Sequence, residues 1–127
     1  MSDFYSDWLE QSKANEKAVA ESPRFTRSKD LKWVRTPQDF KAALMIAPEL
    51  GFTTGGSCMM RAEIPVNWHT GKHFHGEEAI YVESGDGFMI LDDKRYDFHP
   101  GTVIHIPYRS PHQLFNTGDK PVGYISG

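Results

Sequence analysis

Two hydrophobic periods divide the chain. Residues 2–21, "SDFYSDWLEQSKANEKAVAE", place Phe4, Trp8, Leu9, Ala18 and Val19 along one face of a helix. Ser2 or Asp3 can cap its start, and Pro23 enforces its end. The apolar stripe is thin, so this helix needs a docking partner at its aromatic end, on its own domain or on a second subunit. Residues 36–47, "TPQDFKAALMIA", predict a second short helix, with Thr36 as cap, Pro37 in the first turn and Asp39 near the positive dipole end. Pro48 and Gly51 would close it.

From about residue 52 the period changes to that of strands. "SCMMRAEIPV" (57–66), "AIYVESG" (79–85), "GFMILD" (87–92), "KRYDFHP" (94–100), "TVIHIP" (102–107), "HQLFN" (112–116) and "VGYIS" (122–126) are short and rich in β-branched and aromatic residues. Turn sequences such as "SGDG", "HPG" and "NTGDKP" separate them. The expectation is an all-β, antiparallel sandwich or barrel over residues 52–127, preceded by an N-terminal helical extension over residues 1–51. The chain stops at "YISG" just as a strand finishes, as a fragment or one half of a longer protein would.

Composition narrows the function classes. A length of 127 residues suits one domain with a real core. The net charge is −3 and the basic residues are scattered, which gives no nucleic-acid footprint. No apolar run reaches the length of a membrane span, and the N-terminus lacks a signal-peptide layout. The single cysteine, Cys58, forms no internal disulfide, which fits a reducing compartment and a cytoplasmic location.

The histidines carry the candidate chemistry. His73 and His75 stand two apart, and strand side chains at i and i+2 project to one face, where both can grip one ion. Glu77 and Glu78 follow at a distance that a turn can fold back onto the pair, and a carboxylate beside imidazoles is a recurring transition-metal set. His112 opens a later strand behind the proline-bounded "PYRSP". His69, four residues before His73, shares its face by strand parity, as a rim residue or a proton shuttle. His105 alternates with Ile104 and Ile106 and reads as a packing residue, and His99 in "FHPG" reads as solvated.

These two stretches together resemble the paired motifs of the cupin superfamily. The first family motif runs G, five residues, HxH, three or four residues, E, six residues, G. Here Asn67 stands for the first glycine, His73 and His75 fill HxH, Glu78 fills the acid and Gly85 closes it. The second runs G, five residues, PxG, two residues, H, three residues, N, matched by Gly101, Pro107, His112 and Asn116. Three departures stand out: Asn67 for glycine, two residues rather than three or four before Glu78, and Arg109 for the glycine after Pro107. Asparagine tolerates positive φ better than most residues.

The resemblance implies a jelly-roll β-barrel with one divalent transition metal inside, held by His73, His75, His112 and Glu78, with Glu77 as the alternative acid. Iron(II) is favoured, with manganese, nickel, copper or zinc also compatible with the ligand types. It further implies a small-molecule substrate bound by wall or mouth residues, for which Arg61, Trp68, Tyr81, Phe88 and Tyr108 are the candidates. His69, Glu77 and Arg109 are the candidates for proton handling and charge at the cavity mouth. The leading expectation is a mononuclear non-haem iron dioxygenase-like enzyme for a small aromatic or hydroxy-acid substrate. The alternatives are a metal-dependent isomerase, decarboxylase or lyase, and a ligand-binding module without turnover. The family also implies a homodimer.

Overall fold

The computed structural model describes residues 3–56, 58–73 and 75–127. Helix α1, Phe4–Glu21, begins where Asp3 accepts the Ser6 N–H at 2.7 Å and ends at Ser22, ahead of Pro23. Ser2, the other cap candidate, lies outside the described residues. None of the helix's residues is buried. Its C-terminal end is held by Thr53, whose N–H donates to Ser22 Oγ at 2.9 Å and whose hydroxyl donates to the Ala18 carbonyl at 3.2 Å. The aromatic end is exposed, with Phe4 at 86% and Tyr5 against Trp8 at its surface.

The second predicted helix does not form. Asp39 takes a positive φ of 61°, and the Thr36 N–H donates to the Phe40 carbonyl, which makes a hairpin turn between β1 (Val34–Arg35) and β2 (Lys41–Ile46). The "AALMI" run has good helix propensity, but tertiary pairing outweighs it. Strand β2 forms an antiparallel ladder with β3 (Met59–Ile64), and Phe40 and Ala42 enter the core. The sheet therefore draws β2 from the segment expected to be helical and β1 from the residues just before it.

The remaining strands follow the predicted stretches to within a residue or two: β4 (Glu78–Ser84), β5 (Gly87–Leu91), β6 (Lys94–Phe98), β7 (Val103–Ile106), β8 (His112–Asn116) and β9 (Val122–Ser126). They form an all-antiparallel barrel of jelly-roll type. One sheet has the order β1-β2-β3-β9-β4-β7 and the other β6-β5-β8. Alternate residues face inward, so Ile64, Ile80, Val82, Met89, Phe98, Ile106, Leu114 and Val122 make one core. Each such side chain contributes about 1.5–3 kcal/mol by leaving water. Gly87 is required by the close approach of β8, because a Cβ there would run into the Phe115 carbonyl and the Phe98 ring.

Candidate metal centre

Backbone pairing brings the two histidine stretches together. His73 and His112 exchange reciprocal hydrogen bonds, His73 N–H to the His112 carbonyl at 3.0 Å and His112 N–H to the His73 carbonyl at 2.8 Å. The His75 carbonyl accepts the Arg109 N–H at 2.8 Å, which ties the second histidine to the turn before β8. That turn needs a left-handed residue: Arg109 has a φ of 60° where the cupin motif has glycine. Asn67, at the other glycine position, also has a φ of 60°. The shared requirement is the backbone conformation rather than the glycine itself.

Each ring is then oriented by a carbonyl. His73 Nδ1 lies 2.8 Å from the Gly71 oxygen, His75 Nδ1 2.7 Å from the Gly76 oxygen and His112 Nδ1 2.9 Å from the Ser110 oxygen. A carbonyl only accepts, so each Nδ1 carries a hydrogen, and in a neutral ring Nε2 then keeps its lone pair. The three rings converge, with centroids 4.2 to 5.3 Å apart. Their ligand atoms all lie within 4.8 Å of one another.

Burial favours the neutral imidazole at His112 and His73. Burial pulls the His112 pKa down to about 4, against the opposing pull of the Ser110 carbonyl and with a further contribution from the other two histidines. Burial also lowers His73, partly offset by its bond to Gly71. His112 is 1% exposed, and its Nε2 is buried with no hydrogen-bond partner. An orphaned buried acceptor costs roughly 1–3 kcal/mol. A cation shared by three inward lone pairs removes that cost, so these residues fit a transition ion.

Glu78 is the first residue of β4 and shares its inward face with Ile80 and Val82. Its Oε2 is 3.4 Å from His75 Nε2. Burial raises its carboxyl pKa, and the adjacent His75 opposes that shift. Glu77 is turned away: its Oε2 meets His105 Nε2 at 2.7 Å, with both side chains mostly exposed. The structure thus brings Glu78, and not Glu77, beside His75, while the ligand atoms that converge are those of the three histidines alone.

Tyr124 is a further residue beside the centre that no motif in the sequence marks. It lies on the inward face of β9, buried, and its phenol pKa is pushed up by burial and then by the charge of Glu78. The alternation of Val122, Tyr124 and Ser126 is the signal that would have found it.

Several expected wall residues lie elsewhere. Arg61 and Tyr81 point to the outer face of the large sheet, in one row through Ile125. The Arg61 guanidinium is held there by Glu83 at 2.5 and 2.7 Å. Phe88 is on the outer face of the small sheet, stacked on Phe115 at 4.6 Å and capped by Arg95. His69 pairs with Phe115 across the same outer face and stacks on Trp68, so it does not share the face of His73. Thr70 and His73 both turn inward, three residues apart, because the alternation slips at Gly71 and Lys72. Trp68 is half-exposed on that outer surface; Tyr108 and Arg109 lie on the exposed turn before β8. His105 projects outward beside Glu77 rather than packing.

Residues 60–126 match the family model described as Cupin domain. That is more than half of the chain, and the protein belongs to the cupin family. It is 35% identical over 66 residues to the uncharacterized protein MJ1618 of Methanocaldococcus jannaschii, a match over 50% of this chain and 53% of the relative. The chain spans about half the length of that curated relative. Among solved structures it resembles the polyketide cyclase RemF of Streptomyces resistomycificus, with a TM-score of 0.66 and 24% identity over 82% of this chain and 77% of that one. It also resembles a predicted oxalate decarboxylase of Thermotoga maritima, with a TM-score of 0.69 and 19% identity over 79% and 93% of the two chains. At these identities the likeness is one of fold. Among the described residues, no helix is long and apolar enough to cross a membrane.

Proposed function

We propose that this cupin is a mononuclear metal-dependent enzyme acting on a small molecule, with iron(II) dioxygenase-like chemistry on an aromatic or hydroxy-acid substrate as its activity. The observation that carries the metal reading is the triplet of inward Nε2 lone pairs, each fixed by an Nδ1–H bond to a carbonyl. A bound divalent transition ion supplies Lewis acidity and, when it is iron, redox chemistry with dioxygen. His73, His75 and His112 would hold it, leaving part of its coordination sphere to substrate. Glu78 would complete the ligand set or hold a proton at Oε2, a role its burial-raised pKa suits. Ile80, Ile106 and Leu114 keep the interior of the barrel dry.

The second reading is non-oxidative: isomerisation, decarboxylation or elimination, with Glu78 as the base. The proximity of Glu78 to a single histidine supports it, and a predicted oxalate decarboxylase shares the fold. Oxygen uptake by protein reconstituted with iron(II) separates the two readings. Uptake on catechols or hydroxy-acids, absent in His112→Ala, supports the dioxygenase. Substrate turnover without oxygen uptake contradicts it in favour of the second reading.

We further propose a cytoplasmic homodimer. The aromatic end of α1, with Phe4, Tyr5 and Trp8 exposed, supports docking on a second copy. A solution mass near 14.4 kDa by light scattering would contradict it.

A further inference from the structure

Strand β9 turns Val122, Tyr124 and Ser126 inward, so its sequence places two hydroxyls on the barrel's inner wall. The other buried polar side chains on the described residues are Thr70, Ser110, His112 and Asn116. Thr70 Oγ1 accepts the Leu114 N–H at 3.0 Å. The Asn116 amide donates to the Ile64, Pro65 and Lys120 carbonyls, and its Oδ1 accepts the Gly118 N–H. Ser110 lies on the turn before β8, where its carbonyl orients His112. Tyr124 and Ser126 are 3% and 5% exposed, and neither hydroxyl meets a hydrogen-bond partner among the described residues. Neither oxygen is sealed off, because the buried side-chain atoms without a partner there are Arg61 Nε and His112 Nε2. Both hydroxyls therefore open onto space that another molecule's oxygen can reach.

The ladder between β4 and β9 joins these hydroxyls to the histidines. Ser126 pairs with Ile80, and Tyr124 pairs with Val82. Glu78 comes next on the same inward face of β4, which makes it the diagonal neighbour of Ser126. Diagonal neighbours stand about 7–8 Å apart, within reach of a long side chain. The Glu78 carboxylate in turn lies 3.4 Å from His75 Nε2. Its charge also reaches the Tyr124 phenol. The inner wall thus carries one polar stretch, from the imidazoles through Glu78 to Ser126 and Tyr124.

A hydroxyl both donates and accepts, so this pair suits an oxygen that does the same, that of a phenol or an alcohol. Its surroundings are apolar, with Met60 and Ile80 flanking Ser126, and Ala62 and Val82 flanking Tyr124. No lysine or arginine is among the buried residues. A carboxylate placed there would face Glu78 with no cation to pair it.

We propose that Tyr124 and Ser126 bind a neutral hydroxyl of the substrate, so that the barrel takes a phenolic substrate in preference to an acid. The proposal rests on the histidine group being the reactive centre, and it narrows the substrate class to the aromatic one.

The test uses the full chain loaded with zinc, which is redox-inert, under anaerobic conditions. The probes share a chelating head: pyrogallol, 1,2,4-trihydroxybenzene, catechol and 3,4-dihydroxybenzoate. By calorimetry, the better triol is expected to bind about tenfold tighter than catechol, and the acid more weakly than catechol. In the double variant Tyr124→Phe, Ser126→Ala that advantage should shrink to about twofold or less, with catechol binding unchanged. Each substitution removes a hydroxyl with no partner in the protein, so Tm should not fall. A fall of more than about 5 °C in either single variant means that the hydroxyl is spent in the fold, and overturns the proposal. So does an acid that binds as tightly as catechol, or a triol advantage that is missing or survives in the double variant. Failure of the protein to take up zinc defeats the metal reading instead. Phenol and benzoate are then compared on the metal-free chain. Preference for phenol, lost in the double variant, supports the hydroxyl pair, and any other outcome overturns it.

Discussion

Glu77 and Glu78 are adjacent in sequence and lie in different chemical settings. Glu78 faces inward, half-buried, 3.4 Å from an imidazole that is positioned to hold a metal. Glu77 faces outward in a solvated pair with His105. The same division runs through the whole barrel. Inside, polar atoms converge on one point, with a buried Nε2 that has no protein partner. Outside, polar and aromatic side chains satisfy one another: Arg61 with Glu83, Phe88 with Phe115 and Arg95, His69 with Trp68. Arg61 Nε is also buried without a partner, so the difference between the faces is convergence: three imidazoles meet at one point inside, whereas the outer groups pair off.

The inner face should be far more sensitive than the outer one. His75→Ala removes one of three ligands and should weaken metal binding by at least a hundredfold in a chelator competition titration. Glu78→Gln should cost about ten- to a hundredfold in affinity or turnover, the scale seen when a group supporting a metal site is lost. Glu77→Gln should leave metal affinity unchanged. Equal effects of the two substitutions would erase the distinction between the faces.

Acid should act through the inner face as well. His112, held at about 4, and His73, also lowered, remain neutral in the folded chain at pH values where the unfolded chain protonates its histidines, near 6.5. The unfolded state therefore binds more protons, and stability falls as pH drops from about 6.5 towards 4. Metal should be released over the same window, because protons and metal compete for Nε2. A pH series of thermal unfolding with parallel metal analysis checks both.

The outer face should respond in stability alone. The Arg61–Glu83 pair is partly buried, and a double-mutant cycle should return about 1 kcal/mol of coupling with metal content unaltered. Asn67→Gly should be the smallest effect, a gain of under about 1 kcal/mol from relieving a left-handed backbone.

Most of the barrel was legible in the sequence because its strands are short, alternate cleanly and are bounded by turn residues. The histidines were legible because motif spacing fixes their relative positions on two strands. What was not legible depended on pairing. "AALMI" carries helical propensity and becomes a strand only because β3 offers it a ladder. The wall residues were misplaced for a related reason. Period-two alternation says which residues share a face, but not which face is inside. Arg61, Tyr81 and Phe88 alternate with buried neighbours and so point out. His69 was misplaced because a local slip at Gly71 and Lys72 reverses the parity before His73. Tyr124 was overlooked because a tyrosine in a strand signals nothing until the inward face is known.

Three imidazoles on the inner face are arranged to hold one transition ion. The most direct test is metal content by inductively coupled plasma mass spectrometry, on untagged protein purified without chelator, beside His112→Ala. About one equivalent of a transition metal is expected in the native chain and near none in the variant, with both proteins folded by circular dichroism. An equal metal content in the two, or none in the native chain after reconstitution, would contradict it.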